Sequence, residues 1–178
     1  GALNVATVLG VAGAQVGGDW VLTSGTSATS LNVQANVSTG GALRLDSRGS
    51  LSVQADVQAQ GSLTMLAASS LSTAVGADVL SLTGDITLGA TIAMDLAGDV
   101  TSTSGSAWVQ TGANLTFETI NAASGKVVLQ AGNIMGKTSA VDVRADALLV
   151  MADVGAGSTA NPLRVSVSEL AVSAGAGG

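Results

Sequence analysis

The chain contains 178 residues, of which 47% are hydrophobic, 10% are charged and 2% are aromatic, and its formal net charge is −6. The hydrophobic share is too high for a disordered segment, and a net negative charge with only six Lys and Arg argues against a nucleic-acid partner. Because the chain has no His and no Cys, a Ser-His-Asp triad, a cysteine nucleophile and the usual zinc sites are excluded.

Neither a cofactor nor a transmembrane segment is predicted. The sequence contains no G-x-x-x-x-G-K-[ST] and no G-x-G-x-x-G phosphate-binding motif, so we expect no cofactor. The longest apolar run, Ala147–Ala152, is far shorter than the roughly 20 residues that a membrane-spanning helix requires.

The first clear elements, in chain order, belong to an internal repeat. Leu31–Ser50 and Leu51–Ser70 align without a gap and share eight of twenty residues, including the opening L-x-V-Q-A-x-V. Within each copy, short runs alternate apolar and polar residues, which is typical of strands with one buried face. A period near twenty residues matches one turn of a β-solenoid.

Similar strand patterns recur further along the chain, at Gly84–Leu88, Gly98–Thr101 and Gly125–Leu129. Only a few residues separate successive strands, which leaves no room for crossover helices. An antiparallel sandwich of this size usually has several aromatic residues in its core. We therefore predict a right-handed parallel β-helix, a β-solenoid of about nine rungs of roughly 20 residues, with residues 1–178 forming a single segment of a longer chain.

Charged residues alternate along two of the predicted strands. We interpret both groups as solvated outer faces, although convergent carboxylates beside a basic residue are also what a polysaccharide-processing β-helix enzyme would need. The two groups are Arg44, Asp46 and Arg48, and Asp142, Arg144 and Asp146. We favour no enzymatic activity and assign no catalytic residue.

The remaining acidic residues often follow glycine, as Asp19, Asp85 and Asp99 do. Gly-Asp pairs usually serve turns, because the carboxylate accepts hydrogen bonds from nearby backbone N–H groups. The nonapeptide G-G-x-G-x-D that binds Ca²⁺ in other solenoids is absent. We therefore predict no metal site.

Trp108 is the one candidate for a surface ligand contact. An indole ring on the outer wall could stack against the apolar face of a sugar, but we favour a partly buried Trp that packs beside a rung. Trp20 is interpreted as part of a loop or of the packing of the N-terminal rungs. Pro162 cannot donate to a strand ladder and is predicted to lie at a corner.

The C-terminal third carries a resemblance. Strand patterns and a turn follow one another as SGKVVLQAGNI at 124–134, VDVRADALLVMA at 141–152 and GSTANPLRVSVSEL at 157–170. This order, together with GDITL at Gly84–Leu88, resembles the repeats of filamentous haemagglutinin-like, two-partner-secretion-type bacterial exoproteins. The resemblance implies a β-helical shaft that is exported and works in adhesion or structure at the bacterial cell surface, and it carries over no catalytic residue.

Several functional hypotheses follow. We favour a structural or adhesive shaft segment whose unpaired end strands stack on neighbouring repeats or associate end to end or laterally. A glycan- or receptor-binding module is the alternative, with Trp108 as its contact. An ice-binding solenoid would need a regular T-x-T array, and Thr101–Thr103 is isolated. A polysaccharide-processing enzyme is the remote alternative.

Overall fold

The computed structural model describes residues 1–6, 13–25, 29–137 and 140–175. Over this part of the chain the regular structure consists of strands, without a helix, and every strand pairing is parallel. Except in the first and last turns, each strand pairs with the strand one turn earlier and the strand one turn later, so that Leu51 lies in register with both Leu31 and Leu71. The predicted parallel β-solenoid is confirmed.

The strands stack into three flat faces. Face 1 contains β1 (Leu3–Val5), β4 (Leu31–Val33), β7 (Leu51–Val53), β10 (Leu71–Thr73), β13 (Met94–Leu96) and β16 (Asn114–Phe117). Face 2 contains β2 (Ala14–Val16), β5 (Val37–Thr39), β8 (Val57–Ala59), β11 (Val79–Ser81) and β14 (Val100–Ser102). Face 3 contains β3 (Trp20–Thr23), β6 (Leu43–Ser47), β9 (Leu63–Ala67), β12 (Ile86–Ala90) and β15 (Ala107–Thr111).

The last three strands continue around corners. β17 (Ile120–Gly136) and β18 (Val143–Ala156) extend through faces 2 and 3 onto face 1, and β19 (Val165–Ala174) covers faces 2 and 3. Pro162 lies between β18 and β19, outside the ladder, which confirms its predicted corner position. The turn before it is closed by hydrogen bonds between Ser158 and Asn161, from Ser158 N to the Asn161 carbonyl (2.9 Å) and from Asn161 N to Ser158 Oγ (3.0 Å).

The number of turns differs from the prediction of about nine. Seven successive pairings along face 3 give about seven turns. Trp20, Leu43, Leu63 and Ile86 lie above one another, so these turns take 23, 20 and 23 residues. The corner between faces 1 and 2 explains part of the extra length, because it has three residues at 54–56 but five at 74–78.

The core is a set of aliphatic columns that run along the solenoid axis. Alternate residues of each strand point inward, and the same inward position is occupied by a Leu, Val, Ile, Met or Ala in nearly every turn. On face 1 one such column is formed by Leu31, Leu51, Leu71, Met94, Leu115 and Ile134, all of them buried. Burying each such side chain contributes about 1.5–3 kcal/mol, which makes these columns the main source of stability.

Glycines line the corner between faces 2 and 3, and we call Gly41, Gly61, Gly84, Gly105 and Gly125 the glycine column. A side chain at any of these positions would press against the backbone of the preceding turn. Buried hydroxyls satisfy the carbonyls of this corner: Ser81 Oγ donates to Gly61 and Gly84 (both 2.7 Å), and Ser102 Oγ donates to Gly84 (2.9 Å). The backbones of adjacent turns therefore approach closely at this corner, and buried Ser hydroxyls connect them.

Candidate functional site

Trp108 is the second residue of β15 and lies on the outer wall of face 3. Ala107, Val109 and Thr111 of the same strand point into the core, so alternation directs Trp108 outward, where 48% of its surface is exposed. Its ladder neighbours one turn away are Thr87 and Val128. Trp108 is therefore half-exposed on the outer wall beside its rung, and its role as a ligand contact stays a prediction.

The other two aromatic residues contribute to the core. Phe117 is fully buried in face 1, and Trp20 is partly buried and packs against the hydrophobic columns at the N-terminal turns. Trp20 belongs to β3, which agrees with its interpretation as packing of the N-terminal rungs. Trp108 is thus the aromatic ring that the core does not use.

A shallow depression of about 290 Å³ lies beside Trp108, towards the corner between faces 2 and 3. Its lining combines the indole and the aliphatic Val128 with polar and charged side chains from three successive turns: Asp85, Thr87, Ser106 and Lys126. Two hydrogen bonds between turns hold this corner in place. Asp85 Oδ1 accepts one from Ser106 N (2.8 Å), and Ser106 Oγ accepts one from Lys126 N (3.1 Å).

The predicted role of Gly-Asp pairs in turns is confirmed at Asp19 and Asp85, whose carboxylates accept backbone N–H bonds across one turn. The same device forms a column at the corner between faces 1 and 2. There Asn36 Oδ1 accepts from Asp56 N (3.2 Å), Asp56 Oδ1 from Asp78 N (3.1 Å) and Asp78 Oδ1 from Asp99 N (3.0 Å). We call these four residues the corner ladder. Their side chains are engaged in linking turns.

Arg44 and Asp46 form an ion pair on the outer wall, with Arg44 Nη2 3.0 Å from Asp46 Oδ2. The interpretation of this group as a solvated face is confirmed for both residues, since each side chain remains substantially exposed. Arg48 is exposed at the next corner, and its backbone N donates to Ser24 Oγ (2.9 Å). Exposed pairs of this kind contribute only about 0–1 kcal/mol.

The interpretation of the second group as a solvated face is wrong for Asp142. Arg144 and Asp146 are exposed, but Asp142 is fully buried at the corner before β18. Its Oδ2 accepts a hydrogen bond from Arg164 N (2.7 Å), and its carboxylate lies over Gly136, where a side chain would overlap it. Strict alternation breaks down because the chain changes direction at this corner, which turns Asp142 inward.

A polar cluster that sequence reasoning missed lies on face 1. Asp95 Oδ1 accepts a hydrogen bond from Thr116 Oγ1 (2.6 Å), and Lys137 forms an ion pair with the same carboxylate. Partial burial acts to raise the pKa of Asp95, but the hydrogen bonds from Lys137 and Thr116 and the Lys137 charge outweigh it, so the pKa is lowered. No local motif marks this cluster, because the register of the ladder alone brings the three residues together.

The described residues include no group of three or more acidic side chains arranged to hold a metal ion. Among the same residues we find no helix whose length and hydrophobicity would allow it to cross a membrane. The arrangement around Trp108 offers a flat aromatic surface with a carboxylate, a hydroxyl and an ammonium group near its edge.

Comparisons with protein-family models, with curated proteins and with solved structures gave no match to this chain.

Proposed function

We propose that this chain is a shaft segment of a large secreted bacterial surface protein or extracellular filament, with a structural or adhesive role and no catalysis. The observation that supports this role is the set of mainly aliphatic columns that continues through about seven turns. In a solenoid each turn contacts only its neighbours, so length is gained by adding turns without changing the core. Such a fold separates two points in space at a fixed distance.

The surface that β19 leaves uncovered, on the side away from β18, supports the same role. Leu170 and Val172 continue columns in which Leu148 and Val150 are buried, yet they are 54% and 56% exposed. A parallel edge strand also presents unpaired N–H and C=O groups, which favour pairing with a further strand. We propose that a further turn of the same kind, from a neighbouring repeat, covers this surface.

The proposed location at the bacterial surface depends on the resemblance of residues 124–170 to haemagglutinin-like exoproteins. It is tested by immunogold labelling of intact cells of the organism that makes the protein, with antibodies raised against this chain. We expect gold particles outside the cell envelope, and antibodies pre-absorbed with the purified chain serve as the control. Labelling that appears only after the cells are permeabilised would contradict the proposal.

A further inference from the structure

The position of Trp108 is not explained by folding. The residues in register with Trp108 in successive turns of face 3 form an outward column. From one end to the other it consists of Val21, Arg44, Thr64, Thr87, Trp108, Val128, Leu149 and Ala171. Residues in this column do not contribute to the core. A Trp side chain can bury about 150–250 Å², so half exposure leaves a large flat apolar surface in the solvent.

Two of the polar side chains around this ring, those of Asp85 and Ser106, are held in place by hydrogen bonds to backbone N–H groups. Asp85, Ser106 and Lys126 occupy the same corner in three successive turns, and the hydrogen bonds from Ser106 N to Asp85 and from Lys126 N to Ser106 tie these turns together. Thr87 lies beside the ring on the preceding strand. A ligand that stacks on the indole would therefore meet hydrogen-bonding groups at one edge of the ring.

We propose that Trp108, with Asp85, Thr87 and Lys126, binds one neutral pyranose unit of a glycan. A pyranose has an apolar face of C–H groups that stacks on an indole and a rim of hydroxyls that both donate and accept hydrogen bonds. The depression of about 290 Å³ suits a ligand of this small size, since drug-sized ligands occupy about 300–1,000 Å³. The charges of the one carboxylate and the one ammonium group beside the ring cancel, which suits a neutral ligand. The chain's net charge of −6 disfavours an acidic polysaccharide.

A protein partner or a second copy fits this surface less well. The apolar part of the outward column continues from Trp108 through Val128, Leu149 and Ala171, so it is one residue wide and about 14 Å long at the usual strand spacing. Stable protein interfaces bury about 1,200–2,000 Å² in total, far more than such a strip provides. Lys126 and Glu169 at the adjacent corner also interrupt an apolar contact.

The test uses the whole chain, labelled with ¹⁵N, and titrations with cellotriose, chitotriose and lactose. The chain has two Trp residues, so its two indole N–H signals are assigned by comparison with Trp108→Phe. We expect at least one probe to shift the Trp108 signal and leave the Trp20 signal in place, with a Kd on the order of 1 mM for a single stacked ring. Trigalacturonate is the charged comparison and should bind more weakly.

Variants separate a binding role from a structural one. Trp108→Ala should weaken binding about tenfold or more, while Trp108→Phe keeps a ring and part of the affinity. Val21→Ala, which alters another exposed residue of the same column, is the matched control and should bind like the wild type. Thermal melting checks that each variant is folded. If Trp108→Ala does not fold, the comparison of Trp108→Phe with the wild type takes its place.

The proposal is overturned if none of the three probes shifts the Trp108 signal at about 20 mM, well above the expected Kd. It is also overturned if Trp108→Ala folds and binds as the wild type does, or if trigalacturonate alone binds. These outcomes do not bear on the proposed shaft, which depends on the columns and on the surface location.

Discussion

The glycine column makes a sharp prediction about how closely the turns are packed, and Gly105→Ala tests it. An added Cβ at Gly105 would lie 2.6 Å from the Gly84 carbonyl carbon and 2.7 Å from Asp85 Oδ1. Ordinary contact begins near 3.4 Å, so the two turns would have to separate locally by roughly 0.8 Å. The adjacent bond from Ile86 N to the Ser106 carbonyl, now 2.8 Å, would stretch towards the limit of a hydrogen bond.

The expected cost follows from these distances. Overpacking that shifts backbone costs about 1–3 kcal/mol, and a weakened hydrogen bond adds about 0.5–1.5 kcal/mol. Replacing Gly by Ala also restricts the unfolded chain, which offsets about 0.4–1 kcal/mol. The net destabilisation is therefore about 2 kcal/mol, which lowers Tm by about 4–8 °C in a chain of this size.

Gly18→Ala is the matched control. Gly18 lies beneath Gly41 at the same corner, but an added Cβ there would meet no atom within 4 Å. Its Tm should stay within about 2 °C of the wild type, because surface substitutions usually change stability by less than about 0.5 kcal/mol. Melting is followed by circular dichroism in the strand region. Equal Tm values for Gly105→Ala and Gly18→Ala would refute the claim that backbone contact between turns explains this column.

Three further predictions concern the core, the corner ladder and the missed polar cluster. Leu88→Ala should lower the free energy of unfolding by about 2–5 kcal/mol, measured by urea titration, because Leu88 is fully buried in its column. Asp78→Ala should cost about 1 kcal/mol by the same measurement, whereas Asp78→Asn keeps the acceptor for the next turn and should cost little; equal losses would contradict the ladder. Because the pKa of Asp95 is lowered in the folded state, its ion pair adds stability above the unfolded value of about 3.9 and loses it as pH falls through the folded value. Lys137→Met should therefore lower Tm slightly at pH 7, and its difference in Tm from the wild type should shrink at about pH 2.5. A difference that stays constant with pH would show that the Asp95 carboxylate is not its source.

The fold could be predicted because two copies of one turn stand side by side in the sequence. Leu31–Ser50 and Leu51–Ser70 each correspond to one turn, and Leu31, Leu51 and Leu71 lie in one column. Alternation of apolar and polar residues then identifies the inward positions. The number of turns could not be predicted in the same way, because corners accept extra residues without disturbing the strands, as 74–78 does with Gly76 at φ 73°.

Residues at corners were the least predictable. Trp108 lies mid-strand, between inward-pointing Ala107 and Val109, so its outward direction follows from alternation. Asp142 lies at a corner, where alternation no longer applies, and its buried carboxylate lies over Gly136, which precedes it by only six residues. The pairing of Asp95 with Lys137 likewise requires the register of successive turns, which varies with corner length. Sequence patterns therefore predict strand residues better than the residues that join turns.

The scarcity of aromatic residues and the abundance of glycine have a common physical cause. Every inward position is stacked directly on the equivalent positions of its neighbouring turns, at about 4.8 Å, which limits the space for a ring in the core and leaves no space for a side chain where two backbones meet. Phe117 is the fully buried aromatic side chain of the described core, and the residue paired with it in the next turn is Gly136. The Asp142 carboxylate then occupies the space over that glycine. The residue paired with Phe117 in the preceding turn is the fully buried Leu96, so the described core holds this one ring next to an aliphatic side chain, whereas Trp108 lies on the outer wall, outside the core.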